Sequence, residues 1–238
     1  VLLGNVGSVG TVVGLPSGLI TLPGNLQVGA SIAANAASPF GGFSIALGAD
    51  PRVFNFNQQG QLTGFDLLQA PVQGLAYDRF GNRLVLMGNV GSVGTVVGLP
   101  NIGPITLPGN LQVGASIAAN PFGGFSVALG ADPRVFNFNE QGQLTSFDLF
   151  TAPVQGLAFD RFGDRLVLLG NVGSVGTVVG LPSGLITLPG NLQVGASIAA
   201  NPVPEPSSIA LCGLGLMGVL VLGRRRRPRS EIRTRVFL

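Results

Sequence analysis

Up to residue 201, Gly, Pro, Asn and Asp interrupt the chain at short intervals, and the runs between them are rich in Val, Ile, Leu and Phe. The residues in these runs favour strands, and the interrupting residues favour turns. One stretch contains eight strand candidates: Val72–Asp78, Arg83–Asn89, Gly94–Leu99, Pro104–Leu107, Leu111–Ala119, Gly124–Gly130, Arg134–Asn139 and Leu144–Phe150. The pattern therefore predicts an all-β body.

The candidate strands show two hydrophobic patterns. Arg134–Asn139 and Leu144–Leu149 alternate apolar and polar residues, which is typical of half-exposed strands. Leu166–Leu169 is continuously apolar, as expected for a strand that is buried on both faces. The chain is therefore predicted to contain both interior and outer strands.

Internal repetition is the strongest feature of the body. Val1–Asn35 recurs letter for letter as Val167–Asn201, and Leu86–Asn120 carries the same stretch with a changed turn. Pro39–Phe80 recurs as Pro121–Phe162 with few changes, so the period is 82 to 84 residues. Such near-identity indicates recent duplication and argues against specialised chemistry in any one copy.

Each repeat unit predicts two unlike blades of a β-propeller, because four strands in about 40 residues is the spacing of one blade. Gly24–Pro189 then holds four complete blades, Val1–Pro23 holds three strands, and Asn191–Asn201 holds a lone first strand. The two end pieces could pair to close a five-bladed ring, or the ring is larger. A β-solenoid and a series of tandem β-sandwich modules are the alternative architectures.

The charge of the chain is concentrated at its C-terminal end. Charged residues make up 10% of the sequence, the formal net charge is +3, and Lys and His are absent. Through Pro206 there are six Arg against nine acidic residues, whereas the remaining residues hold seven Arg and Glu231 alone. Because the body is mildly acidic, we expect no nucleic-acid partner.

The residues needed for catalysis are scarce. General acid–base chemistry usually uses His or a tuned carboxylate, and His is absent. The carboxylates recur at equivalent positions, which predicts structural roles in Asx turns or in pairs with neighbouring arginines; they are Asp50, Asp66, Asp78, Asp132, Glu140, Asp148, Asp160 and Asp164. Cys212 is the only cysteine. No catalytic, cofactor-binding or metal site is therefore predicted.

The last residues form a tail of three parts. Pro202–Pro206 has prolines at alternate positions and predicts an extended linker. The uncharged, apolar segment 207–223 would form a helix of roughly 25 Å, which is at the short end for a single transmembrane helix in a lipid bilayer. A basic cluster then predicts a cytoplasmic end, with the repeats on the periplasmic side; it consists of Arg224, Arg225, Arg226 and Arg227.

The order of these three parts resembles the PEP-CTERM sorting signal of Gram-negative bacteria. The resemblance implies that an exosortase recognises Pro204, Glu205 and Pro206 and processes the chain near them. It also implies an association with exopolysaccharide. The signal usually ends soon after its arginines, whereas here Pro228–Leu238 follows them. This extension weakens the prediction of cleavage but not the prediction of membrane insertion.

These observations predict four segments: an exported repeat domain (1–201), a linker (202–206), a transmembrane helix (207–223) and a basic cytoplasmic tail (224–238). Val1 begins inside a repeat with no signal peptide before it, so we expect an N-terminal truncation. The predicted function is a non-catalytic protein of the cell surface or extracellular matrix. The alternative is a propeller-type, glycan-acting enzyme that is anchored in the envelope.

Overall fold

The computed structural model describes residues 2–6, 9–15, 18–35, 41–181, 184–193 and 196–200. All secondary-structure elements in these residues are β-strands. The strands form five antiparallel sheets in chain order. In each sheet, strands that are consecutive in the sequence are neighbours, so every sheet is a meander. The predicted all-β fold is confirmed.

The strands of the five sheets have the following bounds. Sheet I contains β1 (Leu2–Val6), β2 (Val9–Leu15) and β3 (Gly18–Thr21). Sheet II contains β4 (Ala30–Ala34), β5 (Phe43–Leu47), β6 (Arg52–Phe56) and β7 (Leu62–Leu67). Sheet III contains β8 (Val72–Tyr77), β9 (Arg83–Met87), β10 (Val93–Val97) and β11 (Ile105–Asn110). Sheet IV contains β12 (Ser116–Ala119), β13 (Phe125–Ala128), β14 (Arg134–Phe138) and β15 (Leu144–Leu149). Sheet V contains β16 (Val154–Phe159), β17 (Arg165–Leu169), β18 (Val175–Leu181) and β19 (Gly184–Asn191).

The predicted grouping into four-stranded units is confirmed for sheets II to V, although some strands are shorter than expected. The clearest case is β12, which begins at Ser116 and not at Leu111. A turn precedes it, in which the Ala115 amide donates to the Gln112 carbonyl at 3.0 Å. Gly114 has a φ of +88° in this turn, a conformation that glycine adopts without strain.

Successive sheets are in contact through their first strands, β4 with β8, β8 with β12, and β12 with β16. Apolar clusters fill the spaces between the sheets. Between sheets III and IV, Leu86 and Val96 pack in one cluster with Phe125 and Phe136. Separate clusters lie between sheets II and III and between sheets IV and V. The middle sheets are therefore covered on both faces.

Double-sided burial corrects the prediction that β14 is half exposed. Val135 packs in the cluster shared with sheet V, and Phe136 packs in the cluster shared with sheet III. Both residues are buried although they point to opposite faces of the sheet. The outermost strand β15 is exposed at every position except Asp148, because no neighbouring strand or sheet covers it on the outer side.

Pairing of the two end pieces, one of the two possibilities that the sequence leaves open, is not observed among the described residues. Sheet I has three strands, and the described residues 192–193 and 196–200 belong to no strand. Ile198 nevertheless lies against Gly156 of β16 as Ile117 of β12 lies against Gly74 of β8. The segment therefore lies where a first strand would lie, but among the described residues no strand pairs with it, and none of the five sheets is closed on itself.

Identical sequences at the two ends of the body adopt different strand registers. In sheet I, Leu2 of β1 lies opposite Val13 of β2. Leu168 and Val178 of sheet V are the counterparts of Leu2 and Val12. Leu168 lies opposite Val178, so the equivalent pairing in the first copy would be Leu2 with Val12. The first hairpin is therefore shifted by one residue. In sheet V, β16 holds the other edge of β17, whereas β1 is itself the edge strand of sheet I.

We predict that Leu86→Ala lowers the free energy of unfolding by about 2–5 kcal/mol, because it opens a cavity between sheets III and IV. Leu67→Ala is the matched control, since this side chain is 70% exposed on β7, and we expect a change of about 0.5 kcal/mol or less. Urea unfolding followed by far-UV circular dichroism measures both values. Equal losses in the two variants would contradict the assigned core.

Candidate functional site

The residues predicted to carry sorting lie outside the described part of the chain. They are Pro204, Glu205 and Pro206, the apolar segment 207–223, and Arg224, Arg225, Arg226 and Arg227. Within the part that the structure describes, no helix has the length and apolarity to cross a bilayer. The candidate sites that the structure does describe are formed by polar residues of the repeat body.

An arginine joins sheet II to sheet III. Arg83 of β9 donates through Nη2 to Asp66 Oδ2 at 2.5 Å and through Nη1 to Asn55 Oδ1 at 2.6 Å. Asn55 in turn donates through Nδ2 to Asp66 Oδ2 at 3.0 Å. The three side chains therefore form one hydrogen-bonded cluster that bridges two sheets, which we call the inter-sheet clamp.

The same clamp recurs between sheets IV and V. Arg165 donates to Asp148 at 2.5 Å and to Asn137 at 2.6 Å, and Asn137 donates to Asp148 at 2.9 Å. This recurrence agrees with the structural role predicted for the carboxylates. The arginine partners were not predicted, because each lies 17 residues from its aspartate in the sequence and reaches it only through the packing of two sheets.

Other carboxylates serve their own turns, as the sequence predicts. Asp50 binds Arg52 through both carboxylate oxygens, and Asp132 binds Arg134 in the same way. Asp78 Oδ1 accepts from the backbone amides of Phe80 at 2.9 Å and Asn82 at 2.8 Å. This is the predicted Asx turn. Each of these pairs or turns is local in the sequence.

Hydrogen bonds lower the pKa of four aspartates. At Asp66 the largest cause is the Asn55 amide, followed by Arg83, and burial opposes both. Asp148 has the equivalent donors in the order Asn137 and Arg165, and its pKa is lowered in the same way. The adjacent arginines lower the pKa of Asp50 and Asp132. The charged form of each carboxylate is therefore favoured by folding.

A cleft of about 210 Å³ opens where four turns of sheets III and IV meet at one end. The turns join β8 to β9, β10 to β11, β12 to β13, and β14 to β15. Leu84, Leu99 and Phe125 are apolar lining residues, of which Leu84 and Phe125 are buried and Leu99 is partly exposed. The other lining residues are mainly polar, aromatic or glycine: Asp78, Arg79, Phe80, Asn82, Pro100, Gly123, Gly124, Glu140 and Gln141.

Arg79 connects the two sides of this cleft, which we call the turn cleft. Its Nη1 donates to the Phe122 carbonyl at 3.1 Å, and its guanidinium lies 4.6 Å from the centre of the Phe80 ring. Its Nη2 is 2.7 Å from Glu140 Oε1. That oxygen is itself buried, although the two side chains are 41% and 38% exposed.

Two glycines of the turn between β12 and β13 are needed for this geometry. A Cβ on Gly123 would contact Glu140 Oε1, and a Cβ on Gly124 would contact the Phe138 carbonyl. Both glycines have positive φ values, +123° and +75°. The sequence analysis did not recognise this Gly-Gly pair as part of a site and placed Gly124 in the strand candidate Gly124–Gly130.

The turn cleft differs from the clusters that hold metal ions. Among the described residues, no group of three or more His, Cys, Asp or Glu side chains is placed to hold one. The Glu140 carboxylate contacts Arg79, and the Asp78 carboxylate accepts from the side-chain amide of Asn82.

The C-terminal residues supply the clearest comparison with known proteins. Residues 202–227 match the PEP-CTERM protein-sorting motif. Residues 202–227 are therefore a PEP-CTERM sorting motif, which we call the PEP-CTERM tail. The match begins at the proline linker and ends at Arg227, so it covers all three predicted parts of the signal and excludes the extension that follows.

The body is compared through its fold. No curated protein matches the chain. A protein of unknown function from Bacteroides caccae, with a crystal structure at 1.35 Å resolution, is similar in fold with a TM-score of 0.53. The two chains are 17% identical, and the match covers 78% of this chain and 70% of the other. This likeness concerns the arrangement of strands alone, whereas the PEP-CTERM tail is identified from its sequence.

We predict that acid weakens the body partly through the inter-sheet clamps. A carboxyl group with a lowered folded-state pKa stabilises the fold above its unfolded pKa of about 4, and this contribution is lost as the pH falls through the folded value. Replacing both Asp66 and Asp148 by Asn should therefore reduce the loss of unfolding free energy between neutral and acidic pH. Each carboxylate should contribute about 1 kcal/mol or less, because the side chains are 47% and 46% exposed.

Urea unfolding at a series of pH values measures this slope. Asp164→Asn is the control, because the preceding copy carries Asn82 at the same position. A double variant with the wild-type pH dependence would show that the clamps do not link protonation to stability.

Proposed function

We propose that this protein is an exported, non-catalytic component of the bacterial cell surface or extracellular matrix, sorted by an exosortase through its PEP-CTERM tail. The observation that carries the proposal is the motif match over residues 202–227. The motif combines a recognition element with an apolar segment and a basic cluster. Such an arrangement delivers a preceding domain across a membrane and holds it there.

The membrane partner in this proposal is the lipid bilayer, entered through residues 207–223. This segment is uncharged, and the four arginines directly after it favour the cytoplasmic side. The repeat body would then face the periplasm of a Gram-negative cell until the exosortase acts near Pro206. Cleavage would release the body from the inner membrane to the surface or the matrix.

We further propose that the body is a propeller-like assembly of blades. Two observations support this architecture: each of sheets II to V is a four-stranded meander, and the first strands of successive sheets lie next to one another. In a propeller, the first strands surround the central axis in the same order. A larger assembly of this kind would present its turns in rows at the two ends.

A non-catalytic role agrees with how the carboxylates are used. Asp66 and Asp148 are engaged by arginine and asparagine in the clamps, and Asp50 and Asp132 pair with local arginines. The alternative, a glycan-acting enzyme, has one observation in its favour, which is that Asp78 and Glu140 both line the turn cleft. However, Asp78 is held by three hydrogen bonds within its own turn, which suits a structural carboxylate better than a proton donor.

Exopolysaccharide is the proposed matrix partner. A repetitive body with turns displayed at one end of its sheets can present similar surfaces along an extended polymer. Local hydrogen bonds fix the turns, and apolar contacts fix the sheets, so the fold holds this surface in place without an active site.

The sorting proposal predicts that the full-length chain loses its tail near Pro206 in a Gram-negative host that contains the exosortase. Replacing Pro204, Glu205 and Pro206 by Ala should abolish this loss and keep the protein in the inner-membrane fraction. Pro228→Ala, which lies beyond the matched motif, is the control and should be processed normally. Intact mass spectrometry and membrane fractionation measure the two results.

If the wild-type chain and the triple variant both stay unprocessed in the inner membrane, the tail is a plain anchor, and the proposed surface role is wrong. If both are processed equally, the cleavage does not depend on the Pro-Glu-Pro element.

A further inference from the structure

We propose that the turn cleft between sheets III and IV binds one neutral sugar ring of a glycan. The inference deepens the proposed matrix function, on which it rests, by assigning that role to one site and one class of ligand. Its basis is the combination of an apolar floor, polar walls and an exposed aromatic ring in a cleft of about 210 Å³.

The size of the cleft favours a single small ring. Pockets that enclose drug-sized ligands usually measure about 300–1,000 Å³, so this cleft is too small for such a molecule. Leu99 is partly exposed and Pro100 is exposed, and they line the cleft with apolar surface, whereas Leu84 and Phe125 are almost completely buried beneath it. A sugar ring has a face of C–H groups that can lie on such a surface, while its hydroxyl groups point outwards.

The walls of the cleft provide the hydrogen bonds that hydroxyl groups require. Carboxylates accept protons from hydroxyls, and guanidinium and amide groups donate to them. The Glu140 side chain is 38% exposed, and since its Oε1 is buried beside Arg79, Oε2 is the oxygen that would accept from a hydroxyl. Gln141 is exposed at the same turn. The cleft holds one cation and two carboxylates, so its charge disfavours an anionic group such as phosphate or a uronic acid.

Phe80 is placed to stack on a ring that enters the cleft. Its side chain is 66% exposed, although exposed aromatic rings cost free energy in water. The turn that carries it is fixed by the hydrogen bond from the Phe80 amide to Asp78 and by the Arg79 guanidinium over the ring. An aromatic ring held in a defined place beside hydroxyl-binding groups is a stacking surface for the C–H face of a sugar.

The surroundings of the cleft favour a sugar over a peptide. Extended peptides commonly bind by adding a strand to the exposed edge of a sheet. The turn cleft is formed by four turns and two sheet ends, and no edge strand borders it along its length. A peptide side chain alone would leave several of the donors and acceptors without partners.

The repeats supply matched controls for this site within the same chain. Phe162 is the counterpart of Phe80 in the Asx turn of sheet V, and it is 64% exposed. In the described part of the chain, no further four-stranded sheet follows sheet V as sheet IV follows sheet III. In sheet II, Gln58 takes the place of Glu140. The fold therefore tolerates glutamine at this position and displays an equivalent phenylalanine outside a cleft.

The proposal predicts binding of a neutral hexasaccharide to the full chain in a detergent that has no sugar headgroup. The probes are cellohexaose, maltohexaose and chitohexaose, followed by isothermal titration calorimetry and saturation-transfer NMR. We expect at least one to bind, with affinity reduced about tenfold or more in Phe80→Ala and in Glu140→Gln. Phe162→Ala and Gln58→Glu should bind like the wild-type chain.

Three outcomes would overturn the inference: no response to any hexasaccharide at millimolar concentration, equal loss in the Phe80 and Phe162 variants, or binding of a tryptic peptide mixture without binding of a sugar. Far-UV circular dichroism checks that the variants are folded. Because these measurements use purified protein, they are independent of tail processing, and failure of sugar binding is distinct from failure of sorting.

Discussion

Apolar contact between the faces of successive sheets is the interaction on which the rest of this structure depends. An isolated sheet of three or four short strands has little stability unless something covers its apolar face. Here each middle sheet is covered twice, so that Val135 and Phe136, which are adjacent in the sequence, contribute to two different clusters. The clamps and the turn cleft exist only because two neighbouring sheets are held side by side.

The strand spacing and the repeat period were enough to predict four of the sheets, since Gly, Pro, Asn and Asp mark almost every turn between them. The burial of β14 was not predictable from its own pattern. Alternation in Arg134–Phe138 indicates which residues share a face, but it does not reveal that both faces are covered. Coverage depends on the neighbouring sheets, and their contact involves residues far away in the sequence.

The candidate sites also divide into local ones, which the sequence predicts, and ones that depend on packing between sheets, which it does not. The Asx turn of Asp78 and the Asp50–Arg52 pair are local, and the residue types at short spacing predict them. The clamp between Arg83 and Asp66 and the turn cleft combine residues from separate sheets. Glu140 reaches Arg79 across 61 positions of sequence, so no local motif announces the pair. The sorting tail is different because its three parts follow one another directly, and the sequence alone identified it.

The two registers adopted by one sequence have a consequence for folding. Val1–Asn35 and Val167–Asn201 are identical, so the chain contains two segments that can compete for the same packing position. A folding energy landscape is frustrated when two arrangements of the chain have nearly the same energy. Tandem duplicates are also prone to domain-swapped misassembly. In sheet V, β17 pairs with both β16 and β18, whereas in sheet I β1 pairs with β2 alone. The neighbouring strands, as well as residue identity, then decide which register each copy adopts.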